Sequence, residues 1–170
     1  KHQFATTNNS TDVGDLDTAK SYCSGNDNVA NGWVTGGDDT PVNVIVKFSK
    51  SSDGNATAIT GVLTTVKTYH SGTSSGTYGY VHGGKYTSPA DRNVIEKYSF
   101  ATEANSSDVG DLTQTCQSTG GTNSETYGYR IGGGAPSYVN VIDKYSFSTD
   151  GNASDIGDLT VARYWPCSTS

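Results

Sequence analysis

Four lysines, at positions 1, 47, 97 and 144, open near-copies of one segment, and no other feature narrows the accessible folds as strongly. The segments read Lys-His-Gln-Phe, Lys-Phe-Ser-Lys and, twice, Lys-Tyr-Ser-Phe. A second block follows each one: Thr-Asp-Val-Gly-Asp-Leu at 11–16, Thr-Ala-Ile-Thr-Gly-Val-Leu at 57–63, Ser-Asp-Val-Gly-Asp-Leu at 107–112 and Ser-Asp-Ile-Gly-Asp-Leu at 154–159. The lysines lie 46, 50 and 47 residues apart. A period near 50 exceeds that of most helical and leucine-rich repeats and suits a unit of four strands.

Each full repeat supplies four strand-like pieces. Asn-Val-Ile-Glu-Lys-Tyr-Ser-Phe at 93–100 alternates apolar and polar residues, as a half-buried strand does, and 43–48 and 140–147 repeat it. An Asp-Gly-Asn turn follows at 53–55 and 150–152, with residues that tolerate positive φ. The Asp-Val-Gly-Asp-Leu block is a short strand whose glycine marks a bulge. A third piece, such as Val161 to Trp165, leads to a fourth: Tyr-Gly-Tyr-Val-His-Gly-Gly at 78–84, matched at 127–133 and 32–37.

A strand ending in Gly-Gly, a variable loop, a strand centred on Tyr, a short strand and a basic residue resemble the kelch repeat. Here the elements are Gly83-Gly84, the loop over 85–92, Tyr98 and Leu112, with Lys20, Lys67 and Arg163 as the basic residue in three repeats. The last strand lacks the Trp common in kelch blades and has Val13, Val109 and Ile156 near that point. The resemblance implies an all-β, kelch-like β-propeller of four-stranded blades, about three and a half of them, as one array over 1–170. Its approximate repeats are 1–46, 47–96, 97–143 and an incomplete 144–170. The Asp-Val-Gly-Asp-Leu block also resembles tandem repeats in structural, fibre-like proteins of marine bacteriophages. Ser-Thr-Asp-Gly-Asn at 148–152 is similar to the Asp-box of sialidase propellers, a structural turn, without its closing aromatic.

Composition agrees with an all-β chain. Of 170 residues, 32% are hydrophobic and 16% charged, with 21 glycines, no methionine and no long amphipathic helical pattern. The net charge of −6 and scattered basic residues argue against nucleic acid as a partner. No apolar run is long enough to span a membrane. Propellers close with four to eight blades, so the chain is expected to be a piece of a larger protein or one subunit of a ring. The plain reading of Cys23, Cys116 and Cys167 is small buried thiols, Cys23 and Cys167 on inner strands too distant to join. Their odd number leaves an intermolecular bridge open.

The polar motifs read mainly as scaffold. Asp150, Asn152, Ser154 and Asp158 place oxygens at positions 1, 3, 5 and 9 of a turn, a weak Ca²⁺ pattern that degrades in other repeats. A hairpin turn explains the same residues. No other cofactor is implied. Asn9, Asn55, Asn105 and Asn152 head Asn-x-Ser/Thr sequons, glycan acceptors if the source is a eukaryotic secretory pathway. The three His and three Arg fall on different repeat positions. Paired aspartates recur once per repeat, where a catalytic pair would appear once. The chain is therefore expected to be no enzyme, with a glycosidase-like propeller a remote alternative.

The loops 38–42, 85–92 and 134–139 vary between repeats and are expected on one face, where a rigid scaffold displays binding residues. Tyr86, Pro89, Arg92, Pro136 and Tyr138 are the candidate contacts, since Tyr offers area at low entropy cost and stacks on sugars. The expected function is a virion or extracellular structural module, a phage fibre or decoration, binding a receptor or cell-surface glycan. A self-assembling architectural repeat, with neighbouring copies as partners, and a secreted eukaryotic glycoprotein are the alternatives.

Overall fold

The computed structural model describes residues 9–38, 42–86, 92–134 and 136–166. They form twelve strands and no helix, in three antiparallel sheets of four strands each. The first sheet holds β1 (Ser24–Asp27), β2 (Asn31–Thr35), β3 (Val42–Ser49) and β4 (Thr57–Lys67). The second holds β5 (Ser71–Ser74), β6 (Tyr78–His82), β7 (Arg92–Ser99) and β8 (Ser107–Cys116). The third holds β9 (Gly120–Asn123), β10 (Tyr127–Ile131), β11 (Val141–Ser146) and β12 (Ser154–Asp158). Each sheet is a meander in chain order. The hydrogen-bonded unit is thus offset from the sequence repeat, whose opening lysines at 47, 97 and 144 lie inside third strands.

The recurrent motifs now have physical reasons. Each Gly-Gly ends a second strand with two successive left-handed residues, as at Gly83 (φ 64°) and Gly84 (φ 94°), a path closed to bulky side chains. The bulge expected in the Asp-Val-Gly-Asp-Leu block is present. In the β7–β8 pairing Glu96 faces Asp108 and Ile95 faces Gly110, so Val109 is the extra residue. The segment 161–165 is a loop where a strand was expected. Its amides bond singly to Val139 and Ser118, and Trp165 takes φ 47°, which breaks an extended path.

The sheets pack face against face, most closely at their first strands β1, β5 and β9. A Cβ on Gly72 would stand 2.5 Å from the Gly25 carbonyl oxygen, and one on Gly121 would stand 2.5 Å from that of Gly72. Only bare backbone fits there. Between the first and second sheets, Trp33, Leu63, Tyr98 and Phe100 form one core, with Trp33 stacked on Phe100 at 3.9 Å. Between the second and third, Tyr80, Leu112, Cys116 and Tyr145 form another, and Tyr80 stacks on Phe147 at 4.7 Å. Tyr98, Tyr80 and Tyr145 are buried, and Tyr129, on the outer face of the third sheet, is half-buried.

The polar part of each seam is built to one plan. The turn asparagine of the later sheet accepts from a fourth-strand amide of the earlier one: Val62 N to Asn105 Oδ1 at 3.1 Å and Asp111 N to Asn152 Oδ1 at 3.0 Å. The segment before β1 follows suit, with Asp15 N donating to Asn55 Oδ1 at 3.0 Å. Lysines on third strands reach acids in the next turn, Lys97 to Asp150 at 2.6 Å and Lys47 to Glu103 at 2.5 Å.

A buried carboxylate also crosses each seam. Glu96 accepts from Thr64 N at 2.7 Å and pairs with Lys67 of the preceding sheet. Burial alone would raise its carboxyl, but Lys67 outweighs it and holds the group below its ordinary value. Its counterpart Asp143 accepts from Thr113 N at 3.1 Å. Cys116 occupies the lysine's place in that seam, and the cation comes instead from Arg130, directly across the same sheet at 2.6 Å. Arg130 and Asp143 are both fully buried.

Candidate binding face

Each link from a fourth strand to the next first strand lies at the same end of the sheets as the β2–β3, β6–β7 and β10–β11 loops. Backbone bonds tie the two together. Asp38 N donates to Ser21 O at 2.7 Å, Thr68 and Lys85 exchange a pair of bonds at 3.0 and 2.7 Å, and Gln117 and Gly134 exchange a pair at 3.0 Å. At these residues the variable loops lie on one face, as expected, and share it with the links.

Two residues after Lys20, Lys67, Cys116 and Arg163, the β4–β5 and β8–β9 links and the equivalent segments before β1 and after β12 carry a residue with positive φ: Tyr22 (54°), Tyr69 (58°), Ser118 (54°) and Trp165 (47°). They are chained by their backbones, Tyr69 N to Tyr22 O, Ser118 N to Tyr69 O and Trp165 N to Ser118 O, at 3.0, 2.7 and 2.9 Å. Bulky residues rarely adopt this region, which costs roughly 1–3 kcal/mol each. Tyr22 nevertheless stacks on Tyr69 at 4.2 Å, and Trp165 is 60% exposed.

These four residues border a cavity of about 430 Å³ that opens where the first strands begin. Its wall continues through Ser71, Thr119 and the strand glycines. Ser118 is 2% exposed, and its hydroxyl has no hydrogen-bond partner among the described residues. His70, also on the wall, is buried. Its Nε2 lies 3.0 Å from both the Thr35 hydroxyl and the Thr35 carbonyl, and burial, with the Lys67 charge, pushes its pKa down to about 3.

The residues singled out in the sequence fall into two clusters on this face. Arg92 opens β7 and sets its guanidinium 5.4 Å over the Tyr86 ring. Tyr138 is 65% exposed and packs against Tyr164 at 5.2 Å, which meets Trp165 edge-on at 5.0 Å. Tyr138 is thereby joined by aromatic contacts to the cavity rim. Pro136 is exposed beside it, and Pro89 lies outside the described residues. Sequence reasoning missed Tyr22, Tyr69 and Trp165. Their signal was present as an aromatic two residues beyond Lys20, Lys67 and Arg163.

The remaining motifs serve the seams. Asp150 holds Lys97 with both oxygens at 2.6 and 2.8 Å, and Asn152 holds the Asp111 amide. Ser154 and Asp158 lie along β12, opposite Lys144 and Val141. Among the described residues, no three His, Cys, Asp or Glu side chains gather as a metal site. Asn9, Asn55, Asn105 and Asn152 are exposed. Cys23 precedes β1 and is half-buried, Cys116 ends β8 and is buried, and the two are not joined to each other. The inner-strand position expected of Cys23 thus falls one residue short of β1, because the link still holds the chain there, and Cys167 lies outside the described residues. Among the described residues, no helix is long and apolar enough to cross a membrane. No family model matches the chain, and no curated protein matches it.

Proposed function

We propose that the chain is a run of kelch-like propeller blades whose loop face binds a receptor or glycan on a cell surface, as part of a virion fibre or an extracellular protein. One observation carries this reading: the described ends of the loops that differ between repeats are bonded to the links, next to an aromatic-rimmed cavity. Several of the recurring acids that an enzyme would need have scaffold partners. Asp108 and Asp155 cap the amides of Gly110 and Gly157, Asp150 and Glu103 pair with lysines, and Glu96 and Asp143 bridge seams. This supports a binding module over a hydrolase. The test measures retention of the labelled chain on bacterial envelopes. Tyr86→Ala and Tyr138→Ala are expected to abolish it, and retention unchanged by both would remove the loops from the proposal.

A second reading, architectural association with further repeats, is favoured by the outer face of the third sheet. β12 is exposed throughout and Ile156 is 49% exposed, whereas its counterparts Ile59 and Val109 pack into seam cores. Sedimentation of the full chain tests it. Association abolished by Ile156→Asp would support this reading, and a monomer at all concentrations would sink it.

A further inference from the structure

The link aromatics pose a question that the scaffold alone does not answer. The link needs positive φ at all four positions, and Gly or Asn would supply it at least cost. The chain instead places Tyr, Tyr, Ser and Trp there. Two of the aromatics, Tyr22 at 45% and Trp165 at 60% exposure, leave much of their surface uncovered. Strain kept at an exposed bulky side chain is characteristic of ligand clamps.

The cavity chemistry narrows the ligand. Its volume of about 430 Å³ lies within the range of small-ligand sites, roughly 300–1,000 Å³. Among its described lining residues none is Asp, Glu, Lys or Arg. The His70 imidazole among them is neutral at ordinary pH. Nothing among these described residues could offset the desolvation of a charged ligand, which would be costly. What the wall offers is aromatic faces at the rim and the unpartnered hydroxyl of Ser118, with Ser71, which donates to Thr119 O, and Thr119, which donates to Ser71 Oγ, behind it. Aromatic platforms beside hydroxyl groups match a molecule with apolar ring faces and a polar edge.

We propose that this cavity binds a neutral saccharide, with a pyranose ring stacked on Trp165 and the Tyr22–Tyr69 pair and its hydroxyls bonded to Ser118 and the first-strand backbone. The proposal rests on the loop face being a binding face and names its ligand class. It also gives Tyr138 a role, extending the platform through Tyr164 to a neighbouring sugar unit.

The experiment is isothermal titration calorimetry of the full chain with cellohexaose, mannohexaose and laminarihexaose, against hexagalacturonate and a heparin hexasaccharide. At least one neutral hexasaccharide is expected to bind and the two acidic ones are not. Trp165→Gly and Tyr22→Gly are each expected to weaken binding at least tenfold without lowering the melting temperature, because glycine suits the backbone at both positions. A blue shift of tryptophan emission on binding would report Trp165, since Trp33 is already buried under Phe100. Failure of all neutral sugars to bind, equal binding of the acidic ones, or full affinity in both glycine variants would overturn the proposal. If envelope retention is lost in Tyr86→Ala and Tyr138→Ala but kept in both glycine variants, the loop face survives and the cavity falls.

Discussion

At the scale of single residues, the buried ionic and imidazole groups set what the fold tolerates. Lys67 and Glu96 are 1% and 0% exposed, so removing one partner strands the other's charge. Glu96→Val is expected to cost about 3–5 kcal/mol in denaturant unfolding. Lys67→Met with Glu96→Val should cost less than Glu96→Val alone, since Val46 fills the carboxylate's place in the first sheet and Cys116 the lysine's place in the second. His70 and His82 give the fold an acid limit. Burial, with Arg130, His70 and Lys67 nearby, pushes the pKa of His82 down to about 3, as burial and Lys67 do for His70. Below pH ~6.5 the unfolded chain takes up protons that the folded chain refuses until about pH 3. Stability should therefore fall with pH across that window, by about 1.4 kcal/mol per unit for each histidine. Thermal melts from pH 7 to 4 should show it. The double variant His70→Thr and His82→Ile, which copies Thr119 and Ile131 of the third sheet, should flatten the profile; an unchanged slope would mean other groups dominate.

At the scale of strands and turns, close approach of backbones decides which glycines are replaceable. Gly121→Ala is expected to destabilise by about 1–3 kcal/mol, because its Cβ would press on the Gly72 carbonyl across the seam. Gly76→Ala, in an open turn with nothing within 4 Å, should stay within ~0.5 kcal/mol of the parent. Equal effects in chemical denaturation would show that the seam relaxes. The strands themselves were legible in the sequence, since alternation in 93–100 and the Gly-Gly endings report local geometry. The seams were not. Asn152 and Asp150 read as a turn or a cation loop because their partners, Asp111 and Lys97, lie 41 and 53 residues away, and nothing local marks that pairing. The link aromatics escaped notice because a positive φ on Tyr or Trp contradicts the preference that sequence reading relies on.

At the scale of the whole chain, stability is a sum over sheets and the seams between them. The second sheet has a neighbour on both faces, whereas β12 is exposed along its length. Hydrogen exchange should accordingly be slowest in β5–β7 and fastest, among the strands, in β12. Uniform protection across the three sheets would mean that the array opens as one cooperative block.

The two ways of neutralising the seam carboxylate have a consequence for how such arrays grow. The third sheet carries Arg130 within its own sequence, so a copy of it could be inserted by unequal recombination behind any sheet that ends in a small residue. The second sheet depends on a lysine encoded in its predecessor, and a copy of it placed after Cys116 would arrive with a carboxylate and no cation. Duplications of the self-sufficient kind need no companion mutation, so lineages should lengthen and shorten by trading units like the third sheet.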